Sequence, residues 1–191
     1  MIYYTADLHI GHANIIRHCQ RPFSSVEEMN QVLLQNWNTT VHRDDTIYIL
    51  GDLFFRNSVP AEEYLQQMKG KKRLIVGNHD SSWMKKVELG KYFESVSHME
   101  EITDGGHHLT LCHYPMMSWS GCNRGSFLVY GHIHNNRNDT YCPLLSKSEL
   151  SLNAGVDIND FRPVTLQELI KNNADYKELY RMENCDGNDR D

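Results

Sequence analysis

Five short apolar runs in this chain each end in a polar cluster of aspartate, asparagine or histidine. The clearest run is Arg73–Val76, which is typical of a buried strand and is followed directly by Gly77-Asn78-His79-Asp80. The other four clusters hold the same position after their runs; they are Asp7-Leu8-His9, Gly51-Asp52, His113 and Gly131-His132-Ile133-His134. Open α/β sheets bind ligands at the carboxyl ends of their strands. The pattern therefore predicts several strands whose ends form one ligand-binding edge.

The first half of the chain alternates predicted strands with predicted helices. The expected strands are Met1–Ala6, Asp45–Leu50 and Lys72–Val76. The expected helices run from Ser24 or Ser25 to about Asn38 and from Pro60 to about Met68. An alternation of this kind is typical of a parallel sheet with its helices on the outside.

The second half predicts strands with little helix between them. The candidate strands are Phe93–His98, Glu100–Thr103, His108–His113, Phe127–Tyr130 and Leu150–Asn153, with helices expected at Trp83–Leu89 and Thr165–Lys171. The turn Asp104-Gly105-Gly106 is a hairpin signal. We therefore expect an α/β fold with two packed mixed β-sheets flanked by helices. One domain would span residues 1–182, and residues 183–191 would form a polar tail.

Composition narrows the functional classes. The formal net charge is −6, whereas a protein that coats nucleic acid shows a basic surface. No apolar run reaches the roughly 18 residues that cross a membrane. Neither a signal peptide nor a C-x-x-C pair is visible among the five cysteines, which predicts a cytoplasmic protein with reduced thiols. The 11 histidines direct attention to metal binding, because imidazole is the commonest metal ligand.

The spacing of the polar clusters favours a metal centre. Side chains two apart on an extended backbone point the same way, so Asp7 with His9, and His132 with His134, could each converge. Imidazole and carboxylate ligands together suit Mn, Fe, Zn, Co or Ni. The candidate ligands outnumber the three or four of a single catalytic zinc. Two ions at one edge explain that excess.

The ordered motifs D-x-H, G-D, G-N-H-D, H and G-H-x-H resemble those of the calcineurin-like metallophosphoesterase superfamily. They run in the family's order from Asp7 to His134. The run Asp7-Leu8-His9-Ile10-Gly11-His12 resembles small bacterial and phage members. The resemblance implies a four-layer α/β/β/α sandwich and a phosphoesterase with two divalent metal ions. Manganese is the first choice of metal, and Fe, Zn, Ni and Co are the alternatives.

The resemblance also implies a role for each motif residue. The implied metal ligands are Asp7, His9 and His134 for one ion, Asn78, His113 and His132 for the other, and Asp52 as the bridge. A hydroxide between the ions would attack phosphorus in line. His79 would contact the phosphoryl or leaving-group oxygen, and Asp80 would orient His79.

Each of the residues beside the motifs has two possible interpretations, one functional and one structural. His12 is either a donor to substrate phosphate or to a ligand, or a loop histidine with a local hydrogen bond. Arg56 either binds a substrate phosphate or lies in solvent. Trp83, Tyr114 and Trp119 either stack on a flat substrate group or pack in the core.

The implied reaction leaves the substrate open, because one metal core serves both phosphomonoesters and phosphodiesters. We expect a phosphodiester first. Short loops and the lack of a cap domain predict an open site for small or accessible substrates, such as a nucleotide, a cyclic phosphodiester or a phosphorylated end.

Two alternatives to this function are a nuclease subunit acting with a partner and a non-catalytic scaffold that binds proteins. The acidic charge disfavours the first, and the retention of Asp52, Asn78 and His79 disfavours the second.

Overall fold

Two four-stranded sheets form the centre of the molecule. The computed structural model describes residues 1–55 and 60–185, with side chains described as far as residue 182. The first sheet is parallel throughout, and its strands in spatial order are β1 (Ile2–Thr5), β2 (Thr46–Ile49), β3 (Lys71–Ile75) and β4 (Phe93–Ser97). Arg56, a predicted substrate residue, lies outside the described residues.

The second sheet is mixed. Its strands in spatial order are β5 (Met99–Asp104), β6 (His107–Cys112), β7 (Phe127–Tyr130) and β8 (Ser151–Asn153). Strands β5 and β6 form the predicted antiparallel hairpin, and β6, β7 and β8 run parallel. The predicted α/β fold with two packed sheets and flanking helices is confirmed.

Helices lie outside both sheets. They are α1 (Ala13–His18), α2 (Val26–Thr40), α3 (Ala61–Gln67), α4 (Ser81–Met84), α5 (Leu89–Tyr92), α6 (Cys142–Lys147) and α7 (Leu166–Cys185). Helix α2 begins at an N-cap, because the Ser25 hydroxyl accepts a hydrogen bond of 3.1 Å from the Glu28 N–H. Its apolar face buries Met29, Leu33 and Trp37. Within the described ranges, no helix combines the length and the apolar character that a membrane crossing requires.

Two helix predictions were wrong in their bounds. The helix expected at Trp83–Leu89 is instead two single turns, α4 and α5. The helix expected to end at Lys171 continues to Cys185. Tertiary contacts explain the extension: the Asn173 side chain accepts a hydrogen bond from the Asn153 N–H at 2.7 Å, and Lys177 donates to a carbonyl of β8. These contacts outweigh the low helix propensity of asparagine.

The core fills the space between the sheets and the space beneath the helices. Buried side chains between the sheets include Tyr4, Leu50, Ile75, Leu111 and Val129. A second cluster joins the first sheet to α1, α2 and α3 through Ile15, Leu33, Trp37, Ile47 and Leu65. Both sheets then present the carboxyl ends of their parallel strands to the same edge, where a parallel bridge between Ala6 and Gly155 connects them.

Candidate metal centre

All seven predicted ligands follow strands and meet at this common edge. Asp7 and His9 follow β1, Asp52 follows β2, Asn78 follows β3, His113 follows β6, and His132 and His134 follow β7. Backbone hydrogen bonds hold the loops together: the His9 N–H donates to the Asp52 carbonyl at 2.9 Å. The structure thus brings residues far apart in the chain into one cluster.

Asp7, His9 and His134 form the first ligand set, with one ligand atom from each lying within 4.8 Å of the others. Asp7 and His9 are fully buried. The Asp7 Oδ1 and the His9 Nε2 have no hydrogen-bond partner in the described part of the chain. Buried polar atoms are nearly always paired, so these two atoms fit the role of metal ligands.

Asp52 lies between this set and a second one. Its Oδ2 is 3.5 Å from the His9 Nε2 and 3.6 Å from the His113 Nε2. Its Oδ1 accepts a hydrogen bond of 2.9 Å from the backbone N–H of His79. Asp7, Asp52 and His113 also place ligand atoms within 4.8 Å of one another. This is the position that the resemblance gives to the bridging ligand.

The second set contains acceptors that face each other. The His113 Nδ1 lies 2.7 Å from the Leu50 carbonyl oxygen, which can only accept, so the Nδ1 carries a hydrogen. The lone pair of the neutral ring then lies on Nε2, which is 2.9 Å from the Asn78 Oδ1. The His132 Nδ1 is also 2.9 Å from that oxygen. The His113 Nε2 and the Asn78 Oδ1 are then two acceptors that a divalent cation would satisfy, so the donor set fits a metal ion.

Five of the predicted ligands have a left-handed backbone. The φ angles are 56° at Asp7, 52° at His9, 55° at Asp52, 74° at His132 and 52° at His134. Residues other than glycine seldom adopt this conformation, and it clusters at functional sites. We predicted an extended backbone at Asp7 and His9 and at His132 and His134, and that prediction was wrong. Tight left-handed turns, rather than strand alternation, aim these side chains.

Glycines allow the loops to approach so closely. A Cβ placed on Gly77 would lie 2.7 Å from the Asp52 nitrogen, and one on Gly131 would lie 2.6 Å from the Ala6 Cβ. Real Cβ atoms do not make such contacts. The glycines that open three of the five clusters, Gly51, Gly77 and Gly131, are thus required by packing between loops.

Asp80 differs from its predicted role of orienting His79. Its buried carboxylate accepts four hydrogen bonds, from the N–H groups of Gly77 (2.8 Å), Asp52 (2.9 Å) and Leu53 (3.1 Å) and from the Trp83 indole (2.8 Å). These donors belong to two site loops and to α4. Burial nevertheless raises the pKa of Asp80 above its ordinary value. Asp80 therefore fixes the backbone that carries Asp52, and in the described part of the chain none of its hydrogen bonds goes to the His79 ring.

His79 lies at the solvent-exposed side of the ligand cluster, next to Asp52. Its side chain is 40% exposed, and its Nε2 lies 4.0 Å from the Asp52 Oδ2. The ring packs edge-on against Phe55, with 4.8 Å between centroids. An imidazole in this position is accessible to a ligand bound beside Asp52.

His12 contacts a predicted ligand directly. Its Nδ1 lies 3.2 Å from the His9 Nδ1, and its ring stacks on Phe55 at 3.9 Å. Burial lowers the pKa of His12 to about 4, so the ring is neutral at pH 7 and can accept a hydrogen bond. The contact is with a residue three positions away, so it fits both interpretations of His12, the partner of a ligand and the loop histidine with a local hydrogen bond.

The aromatic residues near the motifs divide into core and surface. Trp83 is 6% exposed. The Trp119 indole donates to the Ser126 carbonyl at 2.9 Å. Tyr114 is 46% exposed and packs edge-on against the ring of His132 at 4.7 Å. Of the three, Tyr114 is the one that offers a surface beside the cluster.

Two residues that the sequence analysis missed support His134. The His134 Nδ1 lies 3.0 Å from the Asp157 Oδ2, and the Arg21 guanidinium pairs with the same carboxylate at 2.7 and 3.0 Å. Asp157 follows β8 as Gly155-Val156-Asp157, a further polar cluster after a strand, and that signal could have found it. Cys19, His134 and Asp157 also place ligand atoms within 4.8 Å of one another. Asp157, however, is already paired with Arg21.

The fold and this cluster define a metallophosphoesterase type of protein. The family model for calcineurin-like phosphoesterases matches residues 1–182, and the chain belongs to that family. An uncharacterized protein of Methanocaldococcus jannaschii is 36% identical over 172 residues, which cover 89% of each chain. The gene 66 protein of Mycobacterium phage L5 is 31% identical, covering 69% of this chain and 76% of its own length.

One solved structure is similar over nearly the whole chain. A protein of unknown function from Aquifex aeolicus superimposes with a TM-score of 0.68 at 28% identity. The match covers 90% of this chain and 98% of the Aquifex chain. The similarity therefore extends to the complete two-sheet architecture.

Proposed function

We propose that this protein hydrolyses phosphate esters with two divalent metal ions, and that phosphodiesters are its first class of substrate. The observation that carries the proposal is the cluster of ligand atoms at the strand edge, where the Asp7 Oδ1 and the His9 Nε2 have no hydrogen-bond partner among the described residues and the Asp52 and His113 ligand atoms lie beside them. The cluster also buries the two carboxylates of Asp7 and Asp52, and bound cations would balance their charge.

Each of the two ligand sets would hold one of the two ions. Asp7, His9 and His134 would hold one ion, and Asn78, His113 and His132 would hold the other, with Asp52 shared between them. Bound divalent ions supply the positive charge that activates water and neutralises phosphoryl oxygens. Manganese is the first choice, and Fe, Zn, Ni and Co fit the same mixture of donors.

The chain's own residues contribute positioning and proton transfer. His79 would donate a hydrogen bond or a proton to the leaving oxygen through its exposed imidazole. Asp52 holds the His79 backbone through its Oδ1. Asp80 keeps the Asp52 loop and the His79 loop in register, because its carboxylate accepts N–H groups from both.

A cleft beside the cluster supports a small, polar substrate. Its volume is about 680 Å³, and it opens from His132 and His134. Side chains such as Gln20, Asn135 and Asn138 line the cleft. Amides recognise sugar hydroxyls and base edges without requiring charge. A nucleotide or a similar phosphorylated molecule suits both the volume and the lining.

A paired assay on chelator-stripped protein tests the proposal. One arm uses bis-p-nitrophenyl phosphate and the other p-nitrophenyl phosphate, each with Mn, Ni, Co, Zn or no metal. We expect metal-dependent turnover of the diester. His79→Asn should bind metal normally and lose turnover by about 10²-fold or more, since it lacks the proposed general acid. Two bound ions per chain without turnover of either ester would favour a non-catalytic scaffold instead.

Metal binding is expected to release about one proton per chain at pH 7–9. Burial alone would lower the pKa of His134, but hydrogen bonds with Asp157 and Cys19 outweigh it and raise that pKa to about 10. The ring is therefore protonated without metal and must lose its proton to bind an ion. Burial raises the pKa of Asp7 to about 6, so Asp7 is already ionised in this range.

The affinity for Mn²⁺ should consequently increase about tenfold per pH unit between pH 7 and 9. Calorimetry in two buffers of different ionisation enthalpy measures the released proton. His42→Asn, which removes a histidine before β2, should release the same proton. Equal Mn²⁺ affinity at pH 7 and pH 9 would contradict the protonation of His134.

A further inference from the structure

A buried arginine connects three segments beneath the candidate metal centre. The Arg21 Nε and Nη2 donate to the Asp157 carboxylate at 2.7 and 3.0 Å. The same guanidinium donates to the carbonyl oxygens of Asp7 at 2.7 Å and Leu8 at 2.9 Å. The Arg21 and Asp157 side chains are 0% and 1% exposed. The pair is therefore shielded from solvent, and its bonds fix the loop that carries Asp7.

The Asp157 carboxylate also contacts His134, through the Oδ2 that accepts from Arg21. A carboxylate can only accept, so the His134 Nδ1, 3.0 Å from the Asp157 Oδ2, carries the hydrogen. The Asn153 side chain also donates to the His134 backbone carbonyl at 2.7 Å. Together these bonds fix the position of the ring and leave its Nε2 for Asp7 and His9.

The corresponding partner in the second ligand set is uncharged. There the His113 Nδ1 donates to the Leu50 carbonyl at 2.7 Å. A carboxylate partner raises the basicity of a metal-binding imidazole, and such outer partners change metal affinity strongly. The two sets therefore differ in the hydrogen-bond partner of one histidine: a carboxylate for His134 and a backbone carbonyl for His113.

We propose that Arg21 and Asp157 are positioning residues that make the ion at Asp7, His9 and His134 the more tightly held of the two. This inference rests on the proposed two-metal function. Asp157 orients His134 and strengthens it as a ligand, while Arg21 compensates the buried carboxylate and ties it to the Asp7 loop. Neither residue belongs to the five motifs, and neither contacts the substrate cleft.

Titration with Co²⁺ tests the proposal, because the visible absorption of the ion reports on its ligands independently of turnover. The wild-type protein should bind two ions in two resolved steps. Asp157→Asn conserves shape and keeps an acceptor, and once affinities are corrected for competition by protons it should weaken the tighter step by about 10- to 100-fold and alter its spectrum. The weaker step should keep its affinity. Arg21→Lys should weaken the same step.

The matched control is Lys177→Met, which removes another buried charge from a hydrogen-bonded position in α7. It should leave both Co²⁺ affinities unchanged. An equal loss in Lys177→Met and Asp157→Asn would overturn the proposal, since general destabilisation would then explain both. Unchanged binding of two ions by Asp157→Asn would overturn it while leaving the proposed function intact. No Co²⁺ binding by the wild-type protein would reject the proposed function itself.

A measurement without any variant covers the case in which Asp157→Asn does not fold. Long-range ¹H–¹⁵N correlation spectra of the Zn²⁺-loaded wild-type protein identify the tautomer of each histidine. We expect His134 to carry its hydrogen on Nδ1. Observation of the Nε2–H tautomer would overturn the positioning role of Asp157.

Discussion

Asp52→Asn is expected to lower metal-dependent ester hydrolysis by about 10³-fold or more, a loss typical of central catalytic groups. The substitution keeps the size of the side chain and the acceptor for the His79 N–H. It removes the negative charge that lies 3.5 Å from the His9 Nε2 and 3.6 Å from the His113 Nε2. An amide in this position cannot balance two cations, so we expect the variant to hold fewer ions as well.

Turnover and metal content should be measured together on the same preparation. Asp104→Asn is the matched control, because it makes the same chemical change in the β5–β6 hairpin, where the carboxylate accepts from the Tyr4 hydroxyl at 2.9 Å. The control should keep both turnover and two ions. Near-normal turnover by fully loaded Asp52→Asn would rule out the shared role of this carboxylate.

Asp80→Ala is expected to destabilise the metal-free protein by about 3–5 kcal/mol. The substitution leaves four N–H donors in the interior without their acceptor. Each unpaired buried donor costs about 1–3 kcal/mol, and partial relaxation of the loops reduces the sum. For a chain of this size the melting temperature should fall by roughly 10 °C.

Urea denaturation of chelator-treated protein measures this effect without a contribution from bound ions. Asp80→Asn retains one acceptor oxygen and should cost less than the alanine variant. Asp44→Ala, which removes an exposed carboxylate before β2, should change the free energy of unfolding by less than about 0.5 kcal/mol. A loss below about 1 kcal/mol in Asp80→Ala would show that the four bonds are replaceable.

The sequence predicted the location of the site because parallel strands share a direction. Once Asp7, Asp52 and Asn78 were assigned to strand ends, the geometry of a parallel sheet placed them at one edge. The His113 and His132 positions followed in the same way from β6 and β7. Local periodicity and chain order were enough for these residues, and no knowledge of side-chain contacts was needed.

The supporting contacts could not be predicted, because they join distant parts of the chain. Arg21 and Asp157 are 136 positions apart, and no local pattern connects them. The donors to Asp80 include N–H groups 27 and 28 positions away. The resemblance had implied instead that Asp80 would orient His79. Motif order alone therefore does not identify the partners of this buried carboxylate.

The left-handed backbone of the ligand loops affects how the molecule opens. A left-handed residue other than glycine costs on the order of 1 kcal/mol, and Asp7, His9, Asp52, His132 and His134 all adopt this conformation. Local unfolding releases that cost, so without metal the strand edge should exchange its amide hydrogens sooner than the sheet centres do. Bound ions oppose such opening, so the rate of hydrogen exchange at this edge would depend on metal occupancy.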